Sequence, residues 1–175
     1  MRLDLQHRGL IRDRALFDTA IDSKLRGCAL VRLRIGDVSA GGVSRSRAMV
    51  VQSKTGRPVQ FEISETTRES AARWLRIRGG AASDFLFPRR IDSGRPLSTR
   101  QYARLVGDWG GAIGLNVEDY GTHSMRRTKA SLIYRQTGNL RAVQILLGHT
   151  KIESTARYLG IDVEDALHIA EQTDI

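Results

Sequence analysis

With 175 residues, 41% of them hydrophobic and 27% charged, the chain is long enough for one globular domain with a core and too short for two. A single cysteine, Cys28, excludes an internal disulfide or a cysteine-rich zinc site. No apolar run approaches a membrane span, and Met1–Arg8 lacks the apolar stretch of a secretory signal, so a cytoplasmic protein is expected. The net charge is +9, and of 28 basic residues only Lys24, Lys54, Lys129 and Lys151 are lysines. An arginine fork binds two phosphate oxygens at once, which points to a polyanion, nucleic acid first. Composition alone fits a generically basic, solvated surface equally well. Aromatic residues make up only 6%, which argues against a single-strand binder built on base stacking.

In chain order, Leu16, Phe17, Ala20 and Ile21 recur at helical spacing within residues 11–29, and a further helix is predicted over Leu25–Leu33. Gly36-Asp37 and Ala40-Gly41-Gly42 break the pattern. Between Arg45 and Ile63, the residues Ala48, Val50, Val59, Phe61 and Ile63 alternate as in strands, around the turn Ser53-Lys54-Thr55-Gly56. That predicts a β-hairpin with Lys54 near its tip. Helical spacing returns over Thr66–Ile77, with Thr66 or Thr67 as cap and Gly79-Gly80 as stop. Phe85-Leu86-Phe87 leads through Pro88 into a polar, basic loop, Arg89–Pro96, and Ser98–Ile113 reads as a helix capped by Ser98 or Thr99. Further helices are expected at Ser124–Gln136, Leu140–Leu147, Ile152–Tyr158 and Val163–Glu171. The sum is α+β: one mostly helical domain with a small antiparallel sheet.

The last third holds the chemistry: His123-Ser124-Met125-Arg126, then Leu147-Gly148-His149, then Arg157-Tyr158. His123 and Arg126 share a helix face, and His149 and Tyr158 can turn toward one pocket across the break at Gly148. Arg26 sits early, between two helical stretches. A phosphodiester gathers negative charge on its equatorial oxygens as it reacts, and paired guanidinium groups from Arg26 and Arg126 can clamp them. A tyrosine hydroxyl can attack phosphorus and keep the cut end covalently bound, a hairpin lysine can protonate the departing oxygen, and a histidine can relay a proton.

The string Tyr120-Gly121-Thr122-His123-Ser124-Met125-Arg126-Arg127-Thr128, followed by Leu146-Leu147-Gly148-His149 and Thr155-Ala156-Arg157-Tyr158, resembles the catalytic domain of the tyrosine recombinase (phage integrase) family. That family carries H-x-x-R, then L-G-H, then a tyrosine nine residues beyond the second histidine. Leu25-Arg26 matches its first arginine, and Lys54 in Ser53-Lys54-Thr55-Gly56 its hairpin lysine. The resemblance runs from about residue 12 to residue 170. It implies a site-specific recombinase or integrase that cuts and rejoins double-stranded DNA through a 3′-phosphotyrosyl bond to Tyr158. Arg26 and Arg126 would bind the scissile phosphate, Lys54 would protonate the leaving 5′-oxygen, and His123 and His149 would assist. No metal or other cofactor is implied. Relatives assemble as tetramers on two synapsed duplexes and often exchange C-terminal helices, for which residues 162–175 are the candidate. Two departures stand out: Lys24-Leu25-Arg26 where the family usually has Gly-Leu-Arg, and Ala29 where it has an acidic residue. Only 25 residues precede Arg26, so the expectation is a short-form member or a fragment, without an evident N-terminal domain and with a second protein as a possible source of the missing DNA clamp.

Each residue also has a plainer reading. Lys54 on a turn is by default solvated, His149 can cap a helix end, and Tyr158 can be a packing residue. Arg26 can pair with Asp22 four residues earlier. Gly110-Gly111-Ala112-Ile113-Gly114 lacks the preceding strand and following Gly-Lys-Ser of a phosphate loop, and the histidines are too scattered for a zinc pair. Two other functions compete with the recombinase: a DNA-binding accessory protein of the same fold that no longer cuts, and a type IB topoisomerase acting as a monomer.

Overall fold

Helix α2, Ile11–Ser23, is the element around which the others gather. The computed structural model describes residues 1–52 and 56–161 with Leu167 and Glu171. Lys54 and the expected helix over Val163–Glu171, apart from those two residues, lie outside them. In order, the chain runs α1 (Arg2–His7), α2, the single turns α3 (Gly27–Leu30) and α4 (Ile35–Val38), and strands β1 (Ser39–Ala40), β2 (Val43–Ser44), β3 (Arg47–Val51) and β4 (Pro58–Glu62). Helices α5 (Glu65–Arg78), α6 (Thr99–Gly111), α7 (Thr122–Thr137), α8 (Leu140–Leu147) and α9 (Ile152–Leu159) follow, with a 3-10 turn at Val117–Asp119 before α7. The α+β expectation holds, with two antiparallel strand pairs, β1–β2 and β3–β4, in place of one sheet. Ala40-Gly41-Gly42 is the turn of the first pair rather than a plain break; Gly41 and Gly42 supply its positive φ of 57° and 81°. No described helix is long and apolar enough to cross a membrane.

The hairpin follows the sequence pattern: Ala48 faces Phe61 and Val50 faces Val59, so the alternating apolar residues share one side and reach the core. That core joins Leu16 and Ala20 of α2 to Phe61, Leu86, Phe87, Tyr102 and Trp109. The Trp109 indole donates to Asp13 at 3.1 Å, which satisfies its buried N–H. A second cluster, Ala130, Val143 and Leu147, lies among α7, α8 and α9 with Tyr158 packed against it. Caps are local and legible: Ser98 accepts from Gln101 N, Asn139 accepts from Ala142 N, and Gly138, Gly148 and Gly160 close α7, α8 and α9 in the left-handed conformation. At α5 the cap position falls to Ser64, whose hydroxyl donates to Asp22 instead of capping.

The predicted helix over Leu25–Leu33 shrinks to one turn, because α2 stops at Ser23 and Lys24 turns left-handed with φ 53°. This is where the family usually has glycine. A lysine held there carries a steric cost, offset by its ionic contacts: Nζ donates to the Asp22 carbonyl and lies 3.1 Å from Glu62. Lys129 of α7 completes the network at 2.6 Å from both Asp22 and Glu62, and Ser64 donates twice to Asp22. Burial pushes the Asp22 carboxyl up, but the Lys129, Ser64 and Thr67 contacts outweigh it and hold it below the usual range. Asp22 is therefore committed to Lys129 and Ser64, and the alternative Asp22–Arg26 pair does not form. Lys24→Gly is expected to be more stable than Lys24→Ala by about 1 kcal/mol, since both lose the ion pair and only alanine keeps the left-handed strain. Urea melts of the two variants measure it; alanine equal to or better than glycine contradicts the argument.

Candidate active site

Four of the six expected side chains come together. Arg126 rises from the third residue after His123 on α7 and is 3% exposed. Its Nη2 donates to the carbonyl of Leu147 at 2.8 Å and faces His149 Nε2 at 3.2 Å. A guanidinium only donates, so Nε2 accepts; Nδ1 then carries the proton and donates to Thr155 Oγ1 at 3.1 Å. The His149 ring stands edge-on to Tyr158, with centroids 5.5 Å apart and planes at 89°, and the Arg126 guanidinium carbon lies 5.6 Å from the Tyr158 ring centre. Arg26, at the N-cap of α3, reaches the same place through Gln52, whose side-chain oxygen accepts from Arg26 Nη1.

Gly148 makes this convergence possible for two reasons. It takes φ 63° to end α8, and a Cβ there would sit 2.6 Å from Val59 Cγ2 and 3.0 Å from Gln52 Nε2. Any larger residue would push α8 off the hairpin. His149 is thereby delivered directly beneath Arg126.

The electrostatics are those of an anion receptor. Arg126 Nε and Nη1 are buried without a hydrogen-bond partner among the described residues. Buried donors left open in this way cost about 1–3 kcal/mol each, which a bound oxyanion would recover. Burial, then repulsion from Arg26, lowers the Arg126 pKa to about 10, so it stays charged at neutral pH. Burial, then Arg126 and Arg26, pushes His149 down to about 4, so the imidazole is neutral. Burial also raises the Tyr158 phenol above its ordinary value, although Arg126, Arg127 and Arg26 oppose the shift. At rest the nucleophile candidate is a protonated phenol, donating to the His123 carbonyl at 3.2 Å.

His123 contributes that carbonyl, while its exposed side chain lines an open groove of about 530 Å³ with Ser124, Arg127, Ser154, Arg157 and Tyr158. Lys54 lies outside the described residues. Among those residues, no group of three or more His, Cys, Asp or Glu side chains gathers as a metal site. The sequence reading missed Gln52, Thr155 and the Asp22–Lys129–Glu62 network; only Thr155, one helical turn before Tyr158, had a spacing that marked it.

The His149 assignment predicts an NMR titration near pH 4. Arg126→Ala should move it upward, since water enters and a repelling cation leaves. Between that value and the ordinary 6.5 the unfolded chain binds a proton that the fold excludes, so His149 makes stability fall as pH drops through this window. A wild-type titration at the ordinary value would contradict the buried, neutral imidazole.

The sequence profile of the phage integrase family matches residues 4–164, and the chain belongs to that family. It is 30% identical over 178 residues to the tyrosine recombinase XerC of Serratia marcescens, covering 99% of this chain and 55% of that protein. It is 28% identical over 159 residues to the probable integrase/recombinase YoeC of Bacillus subtilis, covering 91% of this chain and 82% of that protein. The chain thus spans about half the length of the XerC relatives it matches. Solved recombinase structures share its fold, two of them as follows. XerA recombinase matches with a TM-score of 0.76 at 22% identity, covering 98% of this chain and 59% of that one. The XerH site-specific recombinase bound to its difH substrate in a pre-cleavage complex matches with a TM-score of 0.73 at 21% identity, covering 91% and 46%.

Proposed function

We propose that this chain carries the cutting and rejoining centre of a site-specific DNA recombinase, working through a 3′-phosphotyrosyl intermediate on Tyr158. The observation that carries the reading is Arg126 itself: a buried guanidinium with two open donors beside a phenol, a neutral imidazole and a second arginine. Such a site is built for one phosphate. Arg26 and Arg126 hold the non-bridging oxygens and take up the charge that grows on them. The Tyr158 oxygen attacks phosphorus, forming the Tyr–O–P bond as the P–O5′ bond breaks, and its proton passes to the imidazole of His123 at the groove. Lys54 gives the departing 5′-oxygen its proton. His149, kept neutral, accepts from Arg126 and fixes its orientation. Attack by the free 5′-hydroxyl reverses each step and reseals the strand, so no outside energy source is required.

The partner is double-stranded DNA, which the excess of arginine suits, and the compartment is the one that holds it, the bacterial cytoplasm. Each chain supplies one Tyr158, while exchange between two duplexes breaks four strands, so four copies act together on synapsed DNA. XerH, a relative in fold, is seen bound to its difH substrate. The test is incubation with a nicked duplex that traps the cut state, followed by denaturing electrophoresis. A covalent adduct on Tyr158 is expected; DNA retained without any adduct would instead identify the non-cutting accessory protein. Chelator should leave the adduct unchanged.

A further inference from the structure

We infer that Gln52 is the positioning residue that sets the Arg26 guanidinium beside Arg126, with the carbonyl of Leu147 as their common anchor. The inference rests on the reading that these two arginines hold the scissile phosphate. Gln52 follows β3 directly and is 2% exposed. Its backbone is fixed where β3 enters the hairpin turn: its N–H donates to Arg57 O at 2.9 Å and its carbonyl accepts from Gly56 N at 2.8 Å. The side chain then bridges two distant parts of the chain. Its Oε1 accepts from Arg26 Nη1, and its Nε2 donates to Leu147 O at 3.4 Å. The amide has only one orientation that works, because a guanidinium offers no acceptor and a carbonyl no donor.

Leu147 O has two lone pairs. Arg126 Nη2 uses one at 2.8 Å, and Gln52 uses the other. One carbonyl at the end of α8 therefore locates Arg126 directly and Arg26 through a single side chain. The absent Cβ of Gly148 leaves room for this bridge, since that atom would stand 3.0 Å from Gln52 Nε2. Arg26 needs such a tether. It is only partly buried, on a long flexible side chain at the start of a one-turn helix, and the contact with Gln52 is the side-chain hydrogen bond it makes among the described residues. Fixing its position before DNA arrives removes an ordering cost from the reacting state.

Gln52→Met tests this, since it keeps the buried volume and removes both polar ends. Adduct formation is measured on two nicked duplexes, one with an ordinary scissile phosphate and one with a methylphosphonate there, which lacks the charge of a non-bridging oxygen. We expect a loss of about ten- to hundredfold on the phosphate and little loss on the methylphosphonate, where less charge waits to be clamped. Combining Gln52→Met with Arg26→Ala should be no slower than Arg26→Ala alone. Equal losses on both substrates, or losses that multiply in the double variant, would overturn the inference, because general damage to the fold acts on both alike. If thermal melting shows the methionine variant unfolded, Gln52→Glu replaces it: it still accepts from Arg26 but sets oxygen against oxygen at Leu147, and the same selective loss is expected. A wild-type protein that forms no adduct on either duplex would sink the recombinase reading itself, which is a separate outcome.

Discussion

Tyr158→Phe should form no covalent DNA adduct while folding and binding DNA as the parent does. The chemical half of this expectation follows from the Tyr–O–P bond, for which phenylalanine has no oxygen to offer. The structural half follows from what the hydroxyl does at rest. It makes one hydrogen bond, to the His123 carbonyl at 3.2 Å, on the groove side of α9. Deleting an accessible hydrogen bond of that kind costs at most about 1 kcal/mol. The ring keeps its place edge-on to His149 and under Arg126, packed on Ala130, Val143 and Leu147. Denaturing electrophoresis reads the adduct, gel retardation the binding, and a melting curve the fold. An adduct that persists in the phenylalanine variant would remove Tyr158 as the nucleophile, whatever else the site contains.

Much of the fold is visible in the sequence because its determinants are local. Alternation in Ala48, Val50, Val59 and Phe61 marks the hairpin, and the apolar run that stops at Gly148 marks α8 over Leu140–Leu147. The end of α2 is not visible, because Lys24 is held left-handed by Glu62, a residue 38 positions away whose role no local pattern reveals. The same division runs through the site. Arg126, His149 and Tyr158 announce themselves by type and spacing, since the chemistry proposed for them demands those side chains. Gln52 does not: it is one glutamine before a turn, and its bond to Leu147 spans 95 positions. Residues that do chemistry are constrained in type, whereas residues that hold them need only reach. The two departures from the family pattern differ in the same way. Lys24 in place of glycine has a visible compensation in Glu62, while Ala29 is a partly buried alanine packed on the core, and nothing among its neighbours explains the missing carboxylate.

Arg126→Met should lose at least about a thousandfold in adduct formation, yet lose little affinity for DNA and none of its stability. One preorganised donor to a developing oxyanion is worth about 10²–10³ in rate, and two buried donors of Arg126 have no partner among the described residues. Affinity is a different matter, because it sums many dispersed phosphate contacts across an arginine-rich surface. Stability should move the other way from activity. The unliganded protein keeps a buried cation whose pKa is lowered to about 10 by burial and by Arg26, so replacing it with an uncharged side chain of similar length relieves a cost. Leu147 O still receives Gln52, and His149 loses only a donor. Arg126→Lys should fail nearly as badly as methionine, since one ammonium cannot reach Leu147 and His149 while presenting a planar pair of N–H groups to phosphate. Melting temperature and single-turnover adduct rate, measured on the same preparations, decide it. A methionine variant that melts far below the parent but still cuts would mean that Arg126 is a structural cation, and that the charge facing the phosphate comes from elsewhere in the groove.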